Sequence, residues 1–334
     1  MKTCHIISHT HWDREWYQNF EEFRYRLVNL LDRLLAVFEE SPDYVFHLDA
    51  QTICLEDYLE IRPDCRELLE KYIASGNLLV GPWYVQNDFF LTSGEATVRN
   101  LLIGTALAEE FGHCEYVGYA PDQFGLISQL PQIFNGFGIT SCIFGRGRQF
   151  FTRNEDDELE KQPQMNEFYW SGSAGSRVLA SYLSRWYNNA QRFSSDPERA
   201  FVFFSQAVKE LDEDSLTSQR LLMNGVDHLE AQENLLEIAA RLNDRLPENE
   251  TVKQSTLREY IEDVRQEVEI NGLKLESLSG EMRNGGSVNL LQGTLSAWTP
   301  LKRENIIAQS RLELLLEPFY TMLEFHSGNN GLYD

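Results

Sequence analysis

Apolar residues recur at two periods along this chain, and the two periods alternate. Over residues 20–40 they fall at three- and four-residue steps (Phe23, Leu27, Leu30, Leu31, Leu34, Leu35, Phe38), which puts them on one face of a helix. Ser41-Pro42-Asp43 breaks that pattern, and the short apolar run at 44–49 predicts a strand. The exchange repeats with a helix over 63–74 closed by Gly76, a strand at 78–81, a helix opened by Ser93-Gly94-Glu95 and running to 110, and a strand at 116–119. Further strands are predicted at 141–144, 168–170, 178–182 and 220–223. Strands alternating with helices across short turns imply parallel strands wrapped by helices, an α/β architecture. From about residue 271 the pattern changes to a loop-rich stretch marked by Gly285, Gly286 and Gly293. Residues 304–325 then read as one long helix carrying Ile306, Ile307, Leu312, Leu315, Leu316, Phe319, Leu323 and Phe325. So much apolar side chain on one helix needs partners, so the chain is expected to enter a helical bundle and stop before completing it. The expected division is an α/β unit over 1–268, then a loop and the first bundle helix over 269–334.

The polar positions that interrupt this pattern carry the chemistry. The first apolar run passes directly into Ser8-His9-Thr10-His11-Trp12-Asp13-Arg14-Glu15-Trp16. On an extended backbone side chains alternate faces, so His9, His11 and Asp13 point one way and Ser8 and Thr10 the other. Two imidazoles beside a carboxylate suit a divalent metal, and mixed nitrogen and oxygen donors favour zinc over magnesium or calcium, which take mostly oxygen. The plain alternative is three polar residues at a solvated strand end; the flanking Trp12 and Trp16 argue against it.

Charge narrows the partners. Among 334 residues, 52 are acidic and 29 basic, a formal net charge of -23. That balance speaks against a broad basic surface, so neither nucleic acid nor an anionic membrane is an expected partner. Acidic runs at 154–158 and 210–214 read as solvated surface. The five cysteines, Cys4, Cys54, Cys65, Cys114 and Cys142, are scattered and lack Cys-x-x-Cys spacing, which suggests neither a disulfide framework nor a thiolate zinc site. With no apolar signal core in the first 20 residues and no run of about 20 apolar residues, the expected compartment is the cytoplasm.

Two more acidic residues follow apolar runs. Asp122 lies in Ala120-Pro121-Asp122-Gln123-Phe124-Gly125, and Asp227 in Asn224-Gly225-Val226-Asp227-His228. Taken singly, Asp122 reads as a turn residue and Asp227 as the N-cap of a helix beginning near Leu229. Together with His11 and Asp13 they occupy equivalent strand ends, where parallel α/β proteins collect their chemistry. A metal flanked by two carboxylates fits glycoside cleavage, one carboxylate attacking and the other donating a proton; in the retaining form the two stand about 5 to 5.5 Å apart. Trp16 and Phe124 suit stacking on a sugar ring, or ordinary packing.

The segments 9–16, 120–125 and 224–228, with Phe46-His47-Leu48-Asp49-Ala50-Gln51-Thr52 and Gly81-Pro82-Trp83-Tyr84, resemble the catalytic part of glycoside hydrolase family 38, the zinc-dependent retaining α-mannosidases, in its bacterial cytoplasmic branch. The resemblance runs in order from residue 1 to about 315. It implies a distorted parallel (β/α)7-type barrel followed by the start of a helical bundle. It also implies one zinc ion held by His11, Asp13 and Asp122, with Asp122 as nucleophile, Asp227 as general acid/base, and Trp16, Phe124 and Arg146 around the sugar. A mannose-containing oligosaccharide or glycoside is the implied substrate, or mannosylglycerate within the same family. The family's fourth zinc ligand, a histidine beyond the first long bundle helix, has no counterpart here: His326 does not resemble its motif, and His228 is expected to sit behind the ligands. An inactive metal-binding fragment is therefore the alternative from another class, and pairing of the 304–325 helix with a second copy is a possible route to a homo-oligomer.

Overall fold

The structure is a computed structural model that describes residues 1–148, 151–153, 159–161, 165–285 and 289–327. The acidic run at 154–158, Gly286 and everything after residue 327 lie outside the described residues. Element order is β1 (Lys2–Thr10), α1 (Phe20–Glu40), β2 (Phe46–Leu48), α2 (Ile53–Leu59), α3 (Arg66–Ala74), β3 (Leu78–Leu79), α4 (Gly94–Glu110), β4 (Gly118–Ala120), α5 (Leu130–Gly136) and β5 (Ser141–Phe144). There follow β6 (Phe151–Arg153), β7 (Leu159–Lys161), β8 (Glu167–Ser171), β9 (Arg177–Tyr182), α6 (Pro197–Asp212), β10 (Gln219–Asn224), α7 (Leu235–Asn243), β11 (Glu250–Gln254), α8 (Leu257–Asn271) and β12 (Ser277–Ser279). Helices α9 (Thr299–Arg311) and α10 (Glu317–Ser327) end the described chain, joined through a π-helical turn at Leu312–Leu316. The expected strands and the long terminal helix are present with shifted ends.

The strands divide between two five-stranded sheets and the β6–β7 hairpin. In the first sheet β1 pairs in parallel with β10, β11 and β2, and β2 with β3; in the second β4, β5 and β9 run parallel, β8 lies antiparallel to β9, and β12 pairs with β8. Hydrogen bonds tie the two sheets together at both junctions: Glu115 N donates to Val80 O (2.9 Å) and Trp83 Nε1 to Tyr119 O (2.9 Å) on one side, and Ala190 N to Met223 O (3.1 Å) on the other. The parallel α/β arrangement is as expected. Past β12 the chain stays bonded to this layer, with Met282 pairing Leu126 and Asn284 pairing Gly147.

β1 is buried on both faces, as a strand covered by helices on one side and a second layer on the other must be. Its Cys4 and Ile6 join the core formed with α1, α3, α6 and α7, while Ile7 joins the core around β4, β5, β8, β9 and α8. The α1 helix begins with a capping box, Asn19 Oδ1 accepting from Glu22 N (3.1 Å) and Glu22 returning a carboxylate oxygen to Asn19 N (3.2 Å). Leu27, Leu31 and Leu34, on its apolar face, are almost wholly buried.

The acidic run at 210–214 is not purely solvated. Asp212 pairs with Lys2 (2.9 Å) and Arg220 (2.7 Å), and Asp214, 6% exposed, with Arg185 (3.1 Å). Lys2 and Arg185 come from distant parts of the chain, which is why the run looked like free surface charge. All five cysteines are buried free thiols, and among the described residues no helix is long and apolar enough to cross a membrane.

Candidate active site

Because β1, β2, β4, β5 and β10 are mutually parallel within their sheets, the residues after them collect at strand carboxyl ends. The β1–β10 pairing continues past both strands: His11 N donates to Val226 O (3.2 Å), His228 N to His11 O (2.8 Å), and His11 faces Asp227 across the ladder. Gly225 makes that approach possible, since a Cβ there would stand 2.0 Å from the His9 carbonyl oxygen. Gly145 plays the same part between β5 and β4, where a Cβ would lie 2.1 Å from Pro121 O, and it delivers Arg146 beside Asp122.

His11 is the centre of the cluster. Its Nδ1 faces the Asp49 carboxylate (3.1 Å to Oδ1, 2.9 Å to Oδ2), and its Nε2 looks toward Asp13 Oδ1 at 3.8 Å and Asp122 Oδ2 at 4.0 Å. Burial alone would depress this imidazole; the carboxylates of Asp49, Asp13 and Asp122 overcome it and push its pKa to about 10. Burial, followed by the Asp49 and Asp227 charges working against His11, raises Asp13 to about 6. Asp122 is likewise raised by burial, with His11 and Arg146 opposing. Three carboxylates thus crowd one imidazole, a deficit of positive charge that a divalent cation would relieve.

The donor set fits zinc. Tetrahedral zinc with bonds near 2.0–2.1 Å needs ligand atoms roughly 3.3 Å apart, closer than His11 Nε2 stands to Asp13 Oδ1 (3.8 Å) or Asp122 Oδ2 (4.0 Å). Asp122 Oδ1 is engaged by Arg146, whose Nε (2.6 Å) and Nη2 both reach it, while Oδ2 is the oxygen turned to His11. With the carboxylates at this spacing, the described residues contain no closed group of three or more His, Cys, Asp or Glu side chains of metal-holding geometry.

Asp227 stands at the same edge with a different environment: Tyr187 Oη donates to its Oδ1 (2.9 Å). Burial, then the Asp122 and Asp227 charges, raise the Tyr187 phenol, so it remains a proton-bearing donor. The N-cap reading of Asp227 fails because the chain takes a loop first, turning at His228 (φ 54°), and α7 starts only at Leu235.

His9 shares the strand face of His11 yet does not meet the carboxylates. Its Nε2 donates to Tyr187 O (2.8 Å), and burial drops its pKa to about 4, so it serves as a neutral prop for the residue that holds Asp227. His228 sits behind the cluster, its ring tilted over Phe23 (4.3 Å between centroids) and edge-on to Trp12 (5.0 Å), with Nε2 accepting from the Asp13 amide (3.1 Å). Phe124 and Trp186 flank the Arg146 guanidinium at 5.3 and 4.6 Å, whereas Trp16 lies at the rim, 63% exposed. Sequence reasoning assigned no role to Asp49, Tyr187 or Trp186. Asp49 had a visible signal, a lone acid one residue past a short apolar strand.

Comparison with known proteins decides the lineage. Residues 1–290 match the model of the glycosyl hydrolases family 38 N-terminal domain. The chain belongs to this family. A putative mannosylglycerate hydrolase of Halalkalibacterium halodurans is 39% identical over 97% of this chain and 36% of its own length. Human alpha-mannosidase 2C1 is 31% identical over 54% of this chain. The crystal structure of an alpha-mannosidase from Enterococcus faecalis V583 superposes with a TM-score of 0.77 at 35% identity, covering 84% of this chain and 31% of that one. The chain therefore spans about a third of the length of these two bacterial relatives. The match is to the N-terminal domain of the family's glycosyl hydrolases, and the strand-end cluster lies within the matched residues.

Proposed function

We propose that this chain carries the catalytic centre of a zinc-dependent retaining α-mannosidase, with His11, Asp13 and Asp122 as the protein's zinc ligands. The observation that carries the reading is the orientation of His11: Nδ1 is held by Asp49, and Nε2 is directed at both Asp13 and Asp122. A bound zinc ion would supply Lewis acidity at the sugar and keep the neighbouring carboxylates ionised. In this reading Asp122 attacks the anomeric carbon and forms the glycosyl-enzyme as the bond to the departing oxygen breaks. Asp227, steadied by Tyr187, donates a proton to the departing oxygen and then takes one from the water that releases the sugar. Arg146 fixes the attacking carboxylate through Oδ1, and Phe124 and Trp186 shape the wall beside it.

The two sheets with their helices form one distorted barrel in this reading, and α9–α10 open a helical bundle. The 39% identity to a putative mannosylglycerate hydrolase along nearly the whole chain favours a second reading, in which the acceptor is a small glycerate.

The test is zinc-titrated hydrolysis of an aryl α-mannoside and of mannosylglycerate, with zinc content measured alongside. Asp122→Ala is expected to lose both metal and turnover, and Asp227→Ala to keep its zinc while turnover falls about 10²–10⁴-fold. Zinc content unchanged in Asp122→Ala would overturn the ligand assignment; the ratio of kcat/KM on the two substrates chooses the acceptor.

A further inference from the structure

The carboxylate of Asp49 is fully buried and accepts three hydrogen bonds: from His11 Nδ1, from the Trp12 amide (2.9 Å) and from Gln51 Nε2 (2.7 Å). The last two both fall on Oδ2. To reach this position the chain bends through two successive left-handed residues, Asp49 (φ 49°) and Ala50 (φ 55°), a conformation that non-glycine residues rarely adopt. Beyond Asp49 the bonding continues. Gln51 Nε2 also donates to Trp12 O (2.9 Å), Gln51 Oε1 accepts from Gln86 N (2.9 Å), Gln86 Nε2 donates to Asp49 O (2.5 Å), and Gln86 Oε1 accepts from Gln123 Nε2 (2.8 Å). Gln123 is the neighbour of Asp122.

The direction of these bonds is set from one end. The Asp49 carboxylate only accepts, so Gln51 turns its amide nitrogen to Asp49 and its oxygen to the Gln86 backbone N–H; the Asp49 backbone carbonyl likewise only accepts, so Gln86 gives it Nε2 and leaves its own oxygen for Gln123. Residues following β2, β3 and β4 are thereby tied into one belt behind the cluster, running from His11 to the loop that holds Asp122.

We propose that Asp49 is the positioning residue for His11, holding the proton on Nδ1 so that Nε2 presents a lone pair to a metal, and that the Gln51–Gln86–Gln123 belt extends this anchor to Asp122. The inference rests on the zinc reading above and adds residues that touch neither metal nor sugar. Carboxylates behind a ligating histidine commonly contribute about 10–100-fold to metal affinity.

Asp49→Asn and Asp49→Ala separate positioning from packing. Asparagine is nearly isosteric, but Oδ2 faces two donors, so the amide oxygen must stay there and its NH2 must face His11 Nδ1. That arrangement moves the imidazole proton to Nε2, the atom directed at Asp13 and Asp122. Alanine leaves Nδ1 free but strips the partners from Trp12 N and Gln51. The expected orders are therefore opposite: zinc affinity, measured by chelator competition, falls about 10–100-fold and falls further in Asp49→Asn, whereas thermal stability falls further in Asp49→Ala. Gln86→Leu, which cuts the belt midway, is expected to weaken zinc binding by less than either and to alter the visible absorption of the cobalt-loaded protein, a report on ligand geometry. If Asp49→Ala refuses to fold, Asp49→Asn and Gln86→Leu still decide. Zinc affinity unchanged in both, while the native chain binds zinc tightly, would overturn this inference and leave the zinc reading standing. A native chain that binds no zinc would overturn both.

Discussion

The strand-end cluster and the α9–α10 segment each invert the usual distribution of side chains, in opposite senses. At the cluster, polar groups are inside: His9, His47 and Asp49 are at most 1% exposed. Along α9–α10, apolar groups are outside: Leu314 is 76% exposed and Phe325 85%, and among the described residues the segment buries none of its apolar side chains. What holds it is charge. Arg99 on α4 makes a two-point pair with Glu317, and Ser93 bonds Glu313 (2.7 Å). The contrast teaches that the two inversions have different remedies. Asp49 and His9 Nε2 find hydrogen-bond partners in neighbouring segments and His47 finds none, whereas the exposed apolar face calls for another surface.

The contrast is sharpest in leucine truncation. Leu31→Ala, on the buried face of α1, is expected to cost about 2–5 kcal/mol, and Leu314→Ala to stay within about 0.5 kcal/mol, both read from urea unfolding. A cost at Leu314 comparable to that at Leu31 would show that the helix packs in solution.

His47 tests the other inversion. It is wholly buried, neither ring nitrogen has a hydrogen-bond partner, and burial depresses its pKa to about 3. The unfolded chain binds this proton near pH 6.5, so the unfolded state carries more protons between about pH 6.5 and 3. Stability therefore rises with pH through that window and is lost as pH falls. At pH 5 this one group accounts for about 2 kcal/mol relative to pH 7. His47→Phe should flatten the pH 5–7 difference in unfolding free energy by that amount; an unaltered slope would place the loss elsewhere.

The smallest effect concerns the clasp. Arg99 and Glu317 are solvent-accessible, so added salt should speed proteolysis or hydrogen exchange of α10 while leaving α1 and β1 unaffected. Equal response of the two regions would break the comparison.

Much of this was legible in the chain. The β1 strand and the His11 and Asp13 that follow it, the helices α1 and α4 and the apolar strands announce themselves through period and motif. β11 did not, because Glu250-Thr251-Val252-Lys253-Gln254 is half-buried and carries one apolar residue in five. Asp49 was visible as a residue but not as a partner of His11: that pairing arises from the β1–β2 register, His9 beside His47 and Thr10 beside Leu48, which no local pattern encodes. His9 was grouped with His11 by alternation, correctly as to face; that its imidazole instead meets a backbone carbonyl depends on Tyr187, far away in sequence.

Gly225 carries a consequence for how this scaffold diversifies. With no room for even a methyl between β10 and the His9 carbonyl, any side chain there wedges the Asp227 loop away from His11. A single hydrogen atom at position 225 therefore sets how closely Asp227 approaches His11, while substitutions at the exposed rim around Trp16 are free of that constraint.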